Sequence, residues 1–331
     1  MPGLQHLLAF VPVTLFLAIL VLIDSFKLVR RRDVAKSLGA GMAAALLSLG
    51  VNLLLLDAAG VPPELLRRLL GPIVEEAAKA AMVWWLIRSG RVGFLVDAAI
   101  HGFSLGAGFA LVENLYYLQA TGSADLGLWV VRGLGTAVMH GTTTAVFAIL
   151  GKGLTGRRDS TSLLWFLPGF LLAVAVHAGF NLFVLPPLVM TGLLCAGMPL
   201  LLGLVFERSE RATRDWLGAG MDRDVEALDQ ILSGEVVATR VGRYLHELRM
   251  RLPGAVVADM LCLLRVRLEL SLRAKGVLMA RAAGIELPPD PAVKANLEEL
   301  AYLEKAIGPV GLLALQPLGR GRDRWERELL R

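Results

Sequence analysis

Seven stretches of the chain are apolar over the length needed to cross a lipid bilayer, and that restricts the fold to a bundle of membrane helices. A spanning helix needs about 20 mostly apolar residues. Residues 5–26, 37–57, 71–88, 96–119, 127–151, 162–184 and 187–206 meet that need. The third is the shortest and holds two adjacent carboxylates, in Gly71-Pro72-Ile73-Val74-Glu75-Glu76-Ala77-Ala78-Lys79. Ionisable groups inside a membrane are costly and point to function by default.

The charge divides the chain. Only 19% of residues are charged, against about 25% in ordinary soluble domains. Residues 1–206 hold 14 of the 34 Lys and Arg and 10 of the 29 Asp and Glu, leaving 20 and 19 for residues 207–331. The expected organisation is an all-α, polytopic membrane domain over 1–206 and a helical, water-exposed tail over 207–331. The longest apolar stretch of the tail is interrupted by Asp259, Arg265, Arg267 and Glu269, which fits an amphipathic helix better than an eighth span. Two cysteines, Cys195 and Cys262, provide neither a disulfide framework nor a four-cysteine zinc site. With no basic residue before Lys27, the first stretch reads as a retained span and not a cleaved signal.

The net charge of +5 does not indicate nucleic acid, because the membrane-domain excess lies in short loops that set orientation. Lys27, Arg30, Arg31, Arg32 and Lys36 follow the first span, Arg88 and Arg91 the third, and Lys152, Arg157 and Arg158 the fifth. Loop 120–126 has no Lys or Arg, and loop 58–70 offsets Arg67 and Arg68 partly with Glu64. The positive-inside rule then predicts a multi-pass protein of the cell (inner) membrane, with the N-terminus outside and the tail cytoplasmic.

On that topology the polar residues converge. Glu75 and Glu76 lie one turn into span 3, with Lys79 a turn deeper. Glu113 and Asn114 fall near the outer end of span 4, Arg132 near that of span 5, and His177 and Asn181 near that of span 6. At 1.5 Å rise per residue most sit roughly 6–13 Å from the outer boundary, and His140 roughly 20 Å, the poorest fit. His177 and Asn181 are four residues apart and share a helix face, as do Glu75 and Lys79. Glu76 is turned about 100° from Glu75, so the two carboxylates cannot face one point alike. Gly102, Gly106 and Gly108 in span 4 permit close helix approach. Lys79 reads as a neutraliser of Glu75 or a snorkelling cation, and Arg132 as an interfacial anchor or a partner for a carboxylate. His6, His101 and His246 are assigned no functional role.

Such groups support hydrolysis. A buried Glu can act as a general base toward water, with His and Asn polarising a carbonyl and stabilising the oxyanion. Alternatively, two His and one Glu can hold zinc with an open fourth position. The H-E-x-x-H signature is absent.

The segments Glu75-Glu76-Ala77-Ala78-Lys79, Phe103 to Asn114, Arg132 to Thr144 and His177-Ala178-Gly179-Phe180-Asn181 together resemble the PrsW family of bacterial intramembrane proteases, related to the CAAX-processing and bacteriocin-processing membrane proteases. The resemblance covers about residues 5–206. It implies cleavage of a membrane-tethered protein, such as a single-span anti-sigma factor, near the extracytoplasmic face of the bilayer. It makes Glu75, Glu76, Glu113, His140, His177 and Asn181 the candidate catalytic residues. If a zinc ion is bound, Glu113, His140 and His177 are the candidate ligands; the alternative is a glutamate base with no metal, favoured because the Glu pair has no evident part in that ligand set. Two other classes use similar residues: a proton- or ion-coupled transporter and a non-catalytic scaffold. Against transport, no inverted repeat is visible, and the polar groups gather on one side.

In the tail, helical patterns cover 222–232, 236–251 and 255–283, the last ending near Gly284. Asp290 and Pro291 should start another helix carrying Val293, Leu297, Leu300 and Ile307, and a charged end runs from Arg320 to Arg331. The expected role is self-association or binding of a cytoplasmic partner.

Overall fold

The computed structural model describes residues 2–121, 125–158, 160–318 and 323–330. Among these there is no strand, and the chain divides into two compact units, Met1–Glu210 and Arg211–Arg331. The first is a helix bundle in which five helical stretches of the chain, the last running on beyond the unit, are long and apolar enough to cross a membrane. The chain is a multi-pass membrane protein.

Helix α1 spans Pro2–Leu22 and α2 spans Arg31–Asp57. The next helical run begins earlier than the sequence implies. A short α3 (Pro63–Leu65) passes through a π turn, Leu66–Leu70, into α4 (Gly71–Arg88). Pro63 suits a first helical position, where its missing N–H costs nothing. Glu75 is therefore 12 residues from the start of this run, on the order of 18 Å along its axis. Helix α5 covers Leu95–Thr121. Then α6 (Leu126–Val130) leads through a second π turn, Val131–Thr136, into α7 (Ala137–Arg158). His140 lies 14 residues after Leu126, about 21 Å along. The early start at Pro63 thus brings the glutamates to the level of His140. Helix α8 (Leu167–Asn181) is shorter than expected, because residues 163–165 form a 3-10 turn, and α9 (Pro187–Leu217) runs eleven residues beyond 206. Of the polar loop 120–126, Gly122 and Ser123 lie outside the described residues.

Burial separates centre from periphery. In α5 and in the α6–α7 run, 83% and 78% of the most apolar stretch is buried, against 22% in both α1 and α2. Between membrane helices, packing of small residues replaces the hydrophobic effect as the cohesive force. Gly102 and Gly106 of α5 face α7: a Cβ on Gly102 would stand 2.7 Å from the Thr144 carbonyl, and one on Gly106 would overlap that of His140. Gly108 instead lies against Leu38 of α2. Asn114 ties α5 to α1 by donating to the Ala9 carbonyl at 2.7 Å.

The second unit contains α10 (Ala219–Leu232), a 3-10 turn Glu235–Ala238, α11 (Arg240–Leu248), α12 (Gly254–Ala282), α13 (Pro291–Leu315) and α14 (Asp323–Leu330). Met260, Leu263, Val266, Leu270, Leu300, Leu303 and Ile307 form its core. Gly284, at φ +74°, follows α12, and Asp290 caps α13 by accepting from the Ala292 N–H at 2.9 Å. Helix α13 bends at Gly308, φ +70°, before Pro309. The charges that interrupt α12 bind it to α13: Arg265 donates to Glu299 at 2.6 Å, and Glu269 accepts from Asn296 at 2.8 Å. Arg320 lies outside the described residues.

Candidate active site

Four helices deliver the site, at the end of the bundle where the runs from Pro63 and Leu126 begin and α5 and α8 end. The basic residues Arg30, Arg91 and Lys152 belong to the opposite end.

At its centre Glu76 Oε1 accepts from Lys79 Nζ at 2.5 Å and from His177 Nδ1 at 2.8 Å. Lys79 also reaches His140 Nδ1 at 3.0 Å. On the far side of that ring, His140 Nε2 and Glu113 Oε2 are 2.8 Å apart. Arg132 Nη2 stands 3.2 Å from Glu113 Oε1, within ion-pair range though not aligned as a hydrogen bond, and its guanidinium covers the Tyr117 ring. The two imidazoles meet edge to face, with centroids 4.8 Å apart. Lys79, Glu76, His140 and His177 are almost wholly buried, while Glu75 and Glu113 keep 18% and 24% of their side-chain surface. The approach from outside is therefore past Glu75 and Glu113.

Glu75 differs from its neighbour. Its Oε2 is buried without a hydrogen-bond partner and lies 3.7 Å from His177 Nε2. A carboxylate oxygen left bare in a low-dielectric interior is expensive. A gap of that length between two polar atoms is a place for water or a ligand.

Of the six predicted site residues, Glu75, Glu76, Glu113, His140 and His177 are brought together. Asn181 points elsewhere: it donates to the Arg67 carbonyl at 3.1 Å, satisfying backbone in the first π turn. Lys79 contacts Glu76, three residues away, and not Glu75. Arg132 acts as the carboxylate partner of the two roles open to it. His101 binds Ser37 Oγ at the other end of α5, 2.8 Å away. The sequence reading missed Lys79 as a member of the site, although its spacing from both glutamates was visible.

These features define a helical membrane protein with a buried carboxylate–imidazole centre near one end. Residues 30–206 match the model of the PrsW family, described as intramembrane metalloproteases, and the chain belongs to that family. No curated protein and no solved structure matches the chain.

The family description implies a metal, and the donor set suits one. Glu75, His140 and His177 each offer a ligand atom, all within 4.8 Å of one another. Two ligand atoms on one tetrahedral zinc ion are about 3.5 Å apart, so the three side chains must draw together and His140 must release Lys79 or Glu113 to take part. The unpartnered Glu75 oxygen is the feature a cation would satisfy. The carboxylate of this group is Glu75, whereas the sequence reading placed Glu113 there. Glu113 is instead engaged by His140 and Arg132, in the manner of an outer partner that orients a ligand.

Proposed function

We propose that the chain hydrolyses a peptide bond in a single-span membrane protein, at the bilayer face on which loops 58–62 and 182–186 lie. The observation that carries this reading is the bare Glu75 oxygen opposite His177 Nε2, on the more accessible side of an otherwise buried centre. With no metal bound, Glu75 takes a proton from the attacking water, the general-base role open to a positioned carboxylate. Glu76 and Lys79 hold His177 and His140 in place, and Arg132 holds Glu113. When zinc is bound by Glu75, His140 and His177, the chemistry it supplies is Lewis acidity toward the carbonyl and the water. The positive-inside pattern supports an extracytoplasmic cut and a cytoplasmic tail. An anti-sigma factor, whose cleavage starts a transcriptional response, is a substrate of the right architecture.

The test is cleavage of a co-expressed single-span protein by the wild-type chain and by Glu75→Gln and His177→Ala variants, followed by a chelator series. Loss of cleavage by about 100-fold or more in both variants is expected from the loss of acid–base catalysis. Cleavage at the wild-type rate in both would overturn the site. Activity lost on chelation and restored by zinc would assign the metal form; full activity after chelation, with no metal retained, would assign the glutamate base alone.

A further inference from the structure

We propose that Asn52 of α2 is a substrate-binding residue whose side-chain oxygen accepts a backbone N–H of the chain being cut, one helical turn from Glu75. Its Oδ1 is buried with no hydrogen-bond partner. An amide left bare in a low-dielectric interior is costly, and the bilayer core has no water to offset that cost. Asn52 as a whole is half-buried, so its amide is not sealed inside the bundle.

The seam between α2 and α4 places this group. A Cβ on Gly71 would stand 3.7 Å from Asn52 Nδ2. Further along the seam, Ala78 packs against the cluster of Ala44, Ala45 and Phe109. Gly71 to Ala78 and Asn52 back to Ala45 are both seven residues, so the two helices run antiparallel in step. Glu75, four residues past Gly71, then comes level with Ser48, four before Asn52. Ser48 is buried, and its hydroxyl already donates to the Ala44 carbonyl at 2.8 Å. Gly71 and Glu75 share a helix face, and Gly71 has no side chain to cover the amide. Asn52 therefore stands about 6 Å along the axis from Glu75, on the side of loop 58–62.

The unused acceptor suits a peptide chain. A span that is cut in the bilayer must first open its helix, and each backbone N–H so released needs an acceptor where water is absent. An amide oxygen provides one without a charge to desolvate. An extended chain advances about 3.3 Å per residue, so Asn52 meets an N–H about two residues from the scissile bond.

This inference rests on the function proposed above, and measuring binding apart from cleavage lets the two fail separately. The full chain carrying Glu75→Gln, in lipid vesicles, is titrated with a synthetic single-span peptide that has an Ala-Gly run at the extracytoplasmic end of its span. The titration is repeated with peptides in which one backbone N–H of that run at a time is replaced by an ester oxygen. One ester position should weaken binding about 3- to 10-fold, the strength of a single hydrogen bond, and adding Asn52→Leu should abolish that penalty. A scan with no penalised position, penalties that Asn52→Leu leaves unchanged, or a peptide that does not bind would each overturn the proposal. If the Asn52→Leu chain does not fold, Asn52→Ala replaces it, and if neither folds the scan on the Asn52 chain decides. An Asn52-dependent penalty with no cleavage by the wild-type chain would keep the binding role and remove the protease; cleavage with an Asn52-independent scan would do the reverse.

Discussion

Glu75 and Glu76 are neighbours in the chain that occupy different environments. Glu76 is held by Lys79 and His177, whereas Glu75 keeps a buried oxygen with no hydrogen bond. Removing Glu76 leaves the Lys79 ammonium buried and unpaired, and breaking a buried pair from one side costs about 3–5 kcal/mol. Glu76→Ala is therefore expected to lower thermal stability and cleavage together. Glu75→Ala should abolish cleavage while the unfolding midpoint in detergent stays unchanged, since no hydrogen bond to that Oε2 is lost. Equal destabilisation by both variants would make Glu75 a packing residue. The pair itself, and the rotation between its members, were legible in the sequence. Which member is locked was not, because Lys79 is spaced to reach either one and side-chain torsions in the packed bundle decide.

At the scale of elements, the spans were legible because apolar length is a strong signal in lipid. The two π turns were not. An i→i+5 bond, such as Gly71 N–H to Leu66 O or Ala137 N–H to Arg132 O, leaves no fixed residue pattern. The start at Pro63 brings the glutamates to the level of His140, the poorest-fitting candidate when the span begins at Gly71. Both turns precede a site residue on its own helix, and the first leaves the Arg67 carbonyl to Asn181. The α5–α7 contact, by contrast, follows from glycines visible in the sequence. A Cβ at Gly106 would meet the backbone carbonyl of His140, which cannot swing aside as a side chain would. Gly106→Ala is expected to cost about 1–3 kcal/mol from overpacking and to reduce cleavage, because the helix that presents His140 must move. Gly50→Ala in α2, where nothing lies within 4 Å of the added Cβ, is the matched control. Comparable unfolding midpoints for the two variants would show that α5 and α7 tolerate separation at this point.

At the scale of the whole molecule, the site and the family match both lie inside Met1–Glu210. The second unit has its own core and its own buried ion pair, Lys275–Asp224 at 2.8 Å. Deleting residues 218–331, past the end of α9, should therefore leave cleavage of an overproduced substrate intact and alter only its regulation; loss of the chemistry with normal membrane insertion would give the tail a direct part. The orientation of the first unit decides where the substrate is cut. Glu75, Glu113 and His177 belong to the bundle end that carries loop 58–62, and the basic loops belong to the other end. Moving basic residues across a membrane is disfavoured, so the site should open extracytoplasmically. In a chain with Cys195 and Cys262 replaced by serine, a membrane-impermeant thiol reagent applied to intact cells should label Ala59→Cys and spare Arg91→Cys. Mass spectrometry of the released fragment should then place the cut on the side of the substrate that the reagent reaches. Labelling of Arg91→Cys alone would invert the topology, and a cut on the unlabelled side would detach the reaction from the cluster of Glu75, Glu113 and His177.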